Sequence, residues 1–155
     1  MMSKKLNPST VAPPFSRYSQ GVVTDPGARW LHVSGQVGVR PDGSLAGGFE
    51  AQYEQALKNV LAIVQAAGMK TGDIIKLVTY MMDGSQVPKA RGIRQGLMGD
   101  AAPASTLVLV AGLASPTWLV EIEAIAAKAV PAAKAAAKKP TARKSAPKKK
   151  PRGRR

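Results

Sequence analysis

The sequence contains no cysteine and a single histidine, His32, among its 155 residues. Without cysteine the chain has no disulfides, no thiol nucleophile and no thiolate-ligated metal site. One histidine leaves too few nitrogen ligands for the usual zinc sites. No apolar run approaches the length of a bilayer span, and the N-terminal residues lack the apolar core of a signal peptide. We therefore expect a cytoplasmic protein with no metal centre.

Acidic residues are missing from residues 131–155, which hold 11 of the 23 Lys and Arg. The other 12 basic residues stand against all 9 acids, so residues 1–130 carry only +3 of the net charge of +14. Residues 131–155 also lack large apolar side chains, so they cannot bury enough surface to offset the entropy of ordering. The sequence predicts a folded domain over 1–128 and a disordered basic tail over 129–155.

A tail of this composition favours sequence-independent contact with DNA or RNA. Lysine and arginine bind phosphate backbones by releasing counterions and read no base sequence. The tail has no aromatic residue, which argues against base stacking of the single-strand-binding kind. Contact with an anionic membrane surface is one alternative. A solubilising role without a dedicated partner is another.

Hydrophobic spacing divides the rest of the chain into strands and two helices. Alternation predicts that Leu31, Val33, Val37 and Val39 share one strand face. The connection around residues 112–116 predicts that the last two strands are antiparallel neighbours. The first helix is expected to be the crossover that pairs the strands on either side of it. The predicted strands are 18–24, 29–39, 74–82, 107–110 and 118–126, and the predicted helices are 49–68 and 85–98.

The last predicted strand carries two carboxylates on one face. Glu121 and Glu123 alternate with apolar residues, so they point to the same side of the sheet. Burying them is costly unless each finds a donor or lines a cleft. This is the first sign of a site, although a solvent-facing or salt-bridged pair would give the same pattern.

Four ordered motifs identify a resemblance. P-A-S-T-L-V from Pro103, followed by V-E-I-E-A-I-A from Val120, closely resembles the C-terminal signature of the Rid (YjgF) family, reactive intermediate deaminases long labelled endoribonuclease L-PSP. Y-S-Q-G from Tyr18, V-S-G-Q from Val33 and the helix at 55–68 agree in order and spacing. The resemblance implies an α+β, chorismate-mutase-like sandwich with one mixed sheet and two helices on one face. It also implies a homotrimer with ligand clefts between subunits.

The resemblance further implies a chemistry. Family deaminases hydrolyse enamines and imines of small acids to a 2-keto acid and ammonia, by attack of water and without a cofactor or metal. Glu121 matches the catalytic glutamate that orients water or exchanges a proton with the substrate. Tyr18 and Ser34 match residues of the substrate cleft. A small-molecule metabolite is therefore the expected partner.

Ser105 departs from the family pattern. The family has arginine there, which clamps the substrate carboxylate through a bidentate, charge-assisted pair. A serine hydroxyl offers one donor and no charge, so we expect weak turnover of 2-iminopropanoate. Arg91 and Arg94 of the second helix, and Arg17 beside Tyr18, are candidates for a replacement cation. Plain surface charges are the alternative for all three.

Three functions follow from different classes. The first is a divergent deaminase of the Rid type. The second is a trimer that binds a small metabolite without turnover, and the third is a trimeric platform that presents basic tails to nucleic acid. No pair of histidines supports a ribonuclease mechanism. We favour the first.

Overall fold

The computed structural model describes residues 3–130, so residues 131–155 of the predicted basic tail lie outside the described residues, while Ala129, also predicted as tail, ends the last strand. Six strands and two α-helices follow one another along this part of the chain. They are β1 Lys4–Leu6, β2 Gly21–Val23, β3 Ala28–Val37, α1 Gly48–Ala66, β4 Ile74–Met81, α2 Val87–Met98, β5 Ala104–Leu109 and β6 Val120–Ala129. Within residues 3–130 no helix is both long and apolar enough to cross a membrane.

A four-stranded mixed sheet in the order β3-β6-β4-β5 forms the centre of the fold. Strand β6 is antiparallel to both β3 and β4, whereas β4 and β5 are parallel. The predicted antiparallel pairing of β5 with β6 is therefore wrong, because β4 lies between them. The pairing of β3 with β4 is wrong for a similar reason, since β6 fills the space between them. Helix α2, not α1, connects the parallel neighbours, as a parallel pair requires.

Strands β1 and β2 form a separate two-stranded antiparallel ribbon. The sequence predicted only the second of these strands. Strand β1 is three residues long and mostly exposed, so it has no apolar periodicity to detect.

Both helices pack on one face of the sheet, which we call the covered face. Helix α1 presents a buried stripe that includes Leu57 and Val60, and Gly68 at φ 69° ends it. The alternation predicted for β6 is confirmed, because its even-numbered residues from Val120 to Ala126 point into this core. Burying a side chain such as Leu57 contributes about 1.5–3 kcal/mol. The sheet residues of this core are Leu77, Met81, Val120, Ile122, Ala124 and Ala126.

The opposite face, which we call the open face, has neither helix on it. Register places one mixed set of apolar, aromatic and charged side chains there. These residues include Trp30, His32, Val37, Lys76, Val78, Tyr80, Val108, Glu121, Glu123 and Ile125.

A β-bulge in β3 changes which residues lie on the open face. Val33 pairs with Ala124, but the register shifts before Gln36, and Val37 pairs with Glu121. One extra residue reverses the alternation beyond the bulge. The prediction that Val33 and Val37 share a face is therefore wrong, and Val37 lies beside Glu121.

Candidate functional site

The segment before β2 is fastened to the edge of the sheet at β5. Ser19 is buried, its backbone N–H donates to Pro103 O at 3.1 Å, and its hydroxyl donates to Ala102 O at 2.6 Å. Ser19 also forms an isolated parallel bridge with Ala104. These contacts fix the neighbouring Tyr18 next to the start of β5, which carries Ser105.

A cavity of about 260 Å³, which we call the edge pocket, lies between this segment, β5 and α2. Ser105 faces it from the covered side of the sheet, because it pairs with the buried Leu77. Four of the six predicted site residues meet here. The lining residues are Phe15, Ser16, Tyr18, Tyr53, Thr79, Ala90, Arg91, Arg94, Ser105 and Leu107.

Arg94 brings a cation to Ser105. Its Nη1 donates to Ser105 Oγ at 2.9 Å, and its Nη2 donates to the carbonyl of Arg17 at 3.1 Å. Burial lowers the pKa of Arg94 from its ordinary value, while nearby Tyr53 opposes that shift. A guanidinium nevertheless remains charged in proteins. The edge pocket therefore holds a half-buried positive charge beside the position where the family carries its arginine.

Tyr53 lies beneath this cation. Burial raises the pKa of the Tyr53 phenol, and the charge of Arg94 and a hydrogen bond with Thr79 partly oppose the shift. The phenol is therefore neutral at physiological pH. It gives the pocket an uncharged floor, and the positive charge of Arg94 is not cancelled by a phenolate.

The other two arginines differ in their contacts. Arg17 forms an ion pair with Asp100 and also donates to Gly99 O at 3.2 Å. Arg91 is exposed, and its side chain forms no hydrogen bond or ion pair with any residue from 3 to 130. Of the three candidates, Arg94 alone contacts Ser105.

Glu121 lies elsewhere, on the open face. It pairs across the sheet with Val37 and Tyr80. Its carboxylate packs on Gly35, where an added Cβ would lie 2.7 Å from Glu121 Cδ. The glycine of the S-G-Q motif therefore makes room for the carboxylate of the E-I-E motif.

Tyr80 and Glu123 surround this position. Partial removal from water raises the pKa of Tyr80 most, followed by the charge of Glu123, the hydrogen bond donated to Glu123 and the charge of Glu121. The phenol therefore stays protonated and donates to Glu123, one of the two carboxylates on this face. Ser34 lines a neighbouring cavity of about 380 Å³ together with His32, Lys76 and Glu123.

The predicted site residues thus fall into two groups. Tyr18, Ser105, Arg91 and Arg94 line the edge pocket, whereas Glu121 and Ser34 lie on the opposite face of the sheet. A sheet separates the two groups within one chain. Any site that uses both must take one group from a second chain.

Comparison with known proteins gives the family. The family profile described as Endoribonuclease L-PSP matches residues 9–128. The chain belongs to the Rid family. The α+β fold with one mixed sheet and two helices is also the fold of its Rid and YjgF structural neighbours, so the predicted fold class is confirmed.

Relatives of this Rid chain include a 2-iminobutanoate/2-iminopropanoate deaminase of Salmonella typhimurium, 35% identical over 82% of this chain and 99% of the relative. A Rid protein of unknown function from Yersinia pestis is 32% identical, with a TM-score of 0.72 over 81% of this chain and 98% of that one. The Escherichia coli protein TdcF, solved with bound serine, is 31% identical, with a TM-score of 0.62 over 81% and 99%.

Sequence reasoning gave no role to several residues of the candidate site. Tyr53 fits the buried apolar stripe of α1, so periodicity alone predicts a core position for it, although a buried tyrosine hydroxyl needs a polar partner. Tyr80 and Gly35 became visible only through cross-strand register. Within residues 3–130, no group of three or more His, Asp or Glu side chains could hold a metal ion.

Proposed function

We propose that this Rid protein hydrolyses small 2-imino acids to 2-oxo acids and ammonia, and that Arg94 binds the substrate carboxylate. The observation that carries the proposal is the hydrogen bond of 2.9 Å between Arg94 Nη1 and Ser105 Oγ inside the edge pocket. The name of the Salmonella relative and the serine bound to TdcF support a substrate the size of a small amino acid.

The serine at position 105 by itself predicts weak turnover of 2-iminopropanoate, because the family's arginine is missing from that position. Arg94 supplies a cation at the same place from helix α2, with N–H groups to spare beyond its two protein contacts. A carboxylate can take a charge-assisted pair from this guanidinium. The Ser105 hydroxyl accepts from Arg94, so its own proton is free to point toward the same carboxylate.

The reaction needs water at the imine carbon. Water adds to the C=N carbon, the C–N bond then breaks, and ammonia leaves as the carbonyl forms. In the proposal Glu121 takes a proton from the attacking water and returns one to the nitrogen, as general acid–base catalysis requires. The Tyr80 phenol, held neutral by its surroundings, donates to the neighbouring carboxylate of Glu123 and adds no charge of its own beside Glu121.

Glu121 can reach an edge pocket only from a neighbouring chain, because it lies on the other face of its own sheet. We therefore propose the family's homotrimer for this protein, with each substrate cleft between two subunits. The apolar residues of the open face support this assembly. Trp30, for example, is 48% exposed in the isolated chain, which is costly for a large aromatic side chain.

The first test exchanges the position of the cation. The substrate is 2-iminopropanoate, produced from alanine by an amino-acid oxidase, and kcat/KM is measured on the full chain. Arg94→Gln should lower kcat/KM about 100-fold, because a charge-assisted contact is lost. The double variant Arg94→Gln, Ser105→Arg should recover most of that loss, because it restores the family arrangement. Lys58→Gln, which removes an exposed ion pair on α1, is the charge-matched control.

Two outcomes would count against the proposal. Unchanged kcat/KM in Arg94→Gln would show that the carboxylate binds elsewhere. A native chain that binds pyruvate but turns over no imine would support the non-catalytic metabolite-binding alternative. Nucleic-acid contact by residues 131–155 stays a separate prediction, supported by their 11 basic residues and their lack of acids.

A further inference from the structure

A second cavity adjoins the edge pocket. Its volume is about 300 Å³, and it lies between α2, the loop after α2 and the segment before Tyr18. Ser16, Arg91 and Arg94 line both cavities, so they form the wall between them. The second cavity adds Arg17 to this wall. Three guanidinium groups therefore line two adjoining cavities.

No carboxylate balances these charges inside the cavities. Among residues 3–130, the lining of both consists of neutral and basic side chains. Asp100, the ion-pair partner of Arg17, is fully exposed outside the lining. A cleft lined by charge of one sign concentrates anions of the opposite sign.

Of the three arginines, Arg91 is the one whose guanidinium has no protein partner among residues 3–130. Arg94 is committed to Ser105 and to the carbonyl of Arg17, and Arg17 is committed to Asp100 and Gly99. Arg91 borders both cavities, and its guanidinium has no hydrogen bond or ion pair in the described part of the chain. A substrate with a single carboxylate, held by Arg94, would leave Arg91 unused.

We infer that Arg91 binds a second anionic group of the substrate, so that the preferred substrate class is dicarboxylic 2-imino acids. This inference rests on the proposed function, because it assumes that Arg94 holds the first carboxylate. The second carboxylate extends past Arg94 into the adjoining cavity, where Arg91 pairs with it and Arg17 adds to the positive field. A guanidinium is suited to this role because its planar donors match a carboxylate.

The test compares two substrates that differ by one carboxylate. 2-Iminopropanoate and 2-iminosuccinate are generated by oxidation of alanine and aspartate, and kcat/KM is measured for each. The native chain should prefer 2-iminosuccinate. Arg91→Gln should lower the ratio of the two kcat/KM values about tenfold, as expected for one charge-assisted contact. Lys89→Gln, on the same helix but paired with Glu50, removes the same charge and should leave the ratio unchanged.

Binding of unreactive analogues separates this inference from the proposed function. Calorimetry with succinate and propanoate should show tighter binding of succinate, and Arg91→Gln should remove most of the difference. If no imine is turned over but succinate still binds in this Arg91-dependent way, the deaminase proposal fails, whereas binding of a second carboxylate by Arg91 is supported. If imines are turned over and Arg91→Gln changes neither the ratio of the two kcat/KM values nor succinate binding, the role of Arg91 is refuted and the deaminase proposal is retained.

Discussion

The covered and open faces of the sheet are built by the same alternating strands, yet they serve different ends. On β6, Ile122 and Ala124 face the helices and are buried, whereas Glu121 and Glu123 face away from them. Most side chains of the covered face pack against the two helices, and the polar edge pocket lies at the margin of this face. The open face keeps carboxylates, a phenol and exposed aromatic surface. Substitutions on the covered face should therefore affect folding first, and those on the open face should affect catalysis and assembly.

A substitution at Gly38 should cause the largest loss of stability, and it tests the packing of the covered face. It is buried against helix α1, where an added Cβ would lie 2.5 Å from the Cα of Gln52. A helix backbone cannot yield as a side chain can. Gln52 also donates to Thr117 O at 3.0 Å and accepts from the Leu119 N–H at 2.8 Å, so its displacement would disturb the approach to β6.

Gly38→Ala should therefore cost about 3 kcal/mol and lower Tm on the order of 10 °C. Differential scanning calorimetry measures both. Gly27→Ala, where an added Cβ meets nothing within 4 Å, is the matched control and should change Tm little. Equal stability of the two variants would mean that β3 and α1 are less closely packed than described.

Gly35 lies inside β3, three residues before Gly38, which follows the end of that strand, and it should behave in the opposite way. The three atoms nearest to an added Cβ there all belong to the Glu121 side chain, with its Cδ at 2.7 Å, and that side chain can rotate away. Gly35→Ala should leave Tm nearly unchanged but lower kcat about 100-fold, because a displaced acid–base group loses its function. Glu121→Gln should show a similar fall in kcat. A fully active Gly35→Ala variant would rule out a catalytic role for Glu121 in its described position.

Local periodicity was sufficient to predict much of this fold. The helix ending at Gly68, the strand at 74–82 and the alternation around Glu121 all depend on neighbours in the chain, and the structure confirms them. The order of the strands in the sheet depends instead on pairing between segments that are distant in the chain. The connection between β5 and β6 is long enough to pass over β4, and nothing in its residues shows that it does.

The site was predictable only in part, for a physical reason. Motifs identified Tyr18 and Ser105, but the contact between Arg94 and Ser105 depends on the position of α2 relative to the sheet edge. The bulge between Val33 and Gln36 likewise moved Val37 next to Glu121, because one extra residue reverses the pattern. Side chains brought together by tertiary packing leave no spacing signal in the sequence.

The smallest expected effect concerns the assembly proposed for the open face. Trp30 is 48% exposed and stacks on His32, with ring centroids 6.5 Å apart, so it presents a flat apolar surface to a partner chain. Trp30→Lys should raise the dissociation constant of the trimer at least about tenfold, since buried tryptophans often dominate interfaces. Val23→Lys changes a residue of similar exposure, 52%, on the separate ribbon of β1 and β2, and should have no such effect. Sedimentation equilibrium across a dilution series measures both. If the native chain is a monomer at every concentration, a neighbouring subunit cannot supply Glu121, and the edge pocket of each chain must act alone.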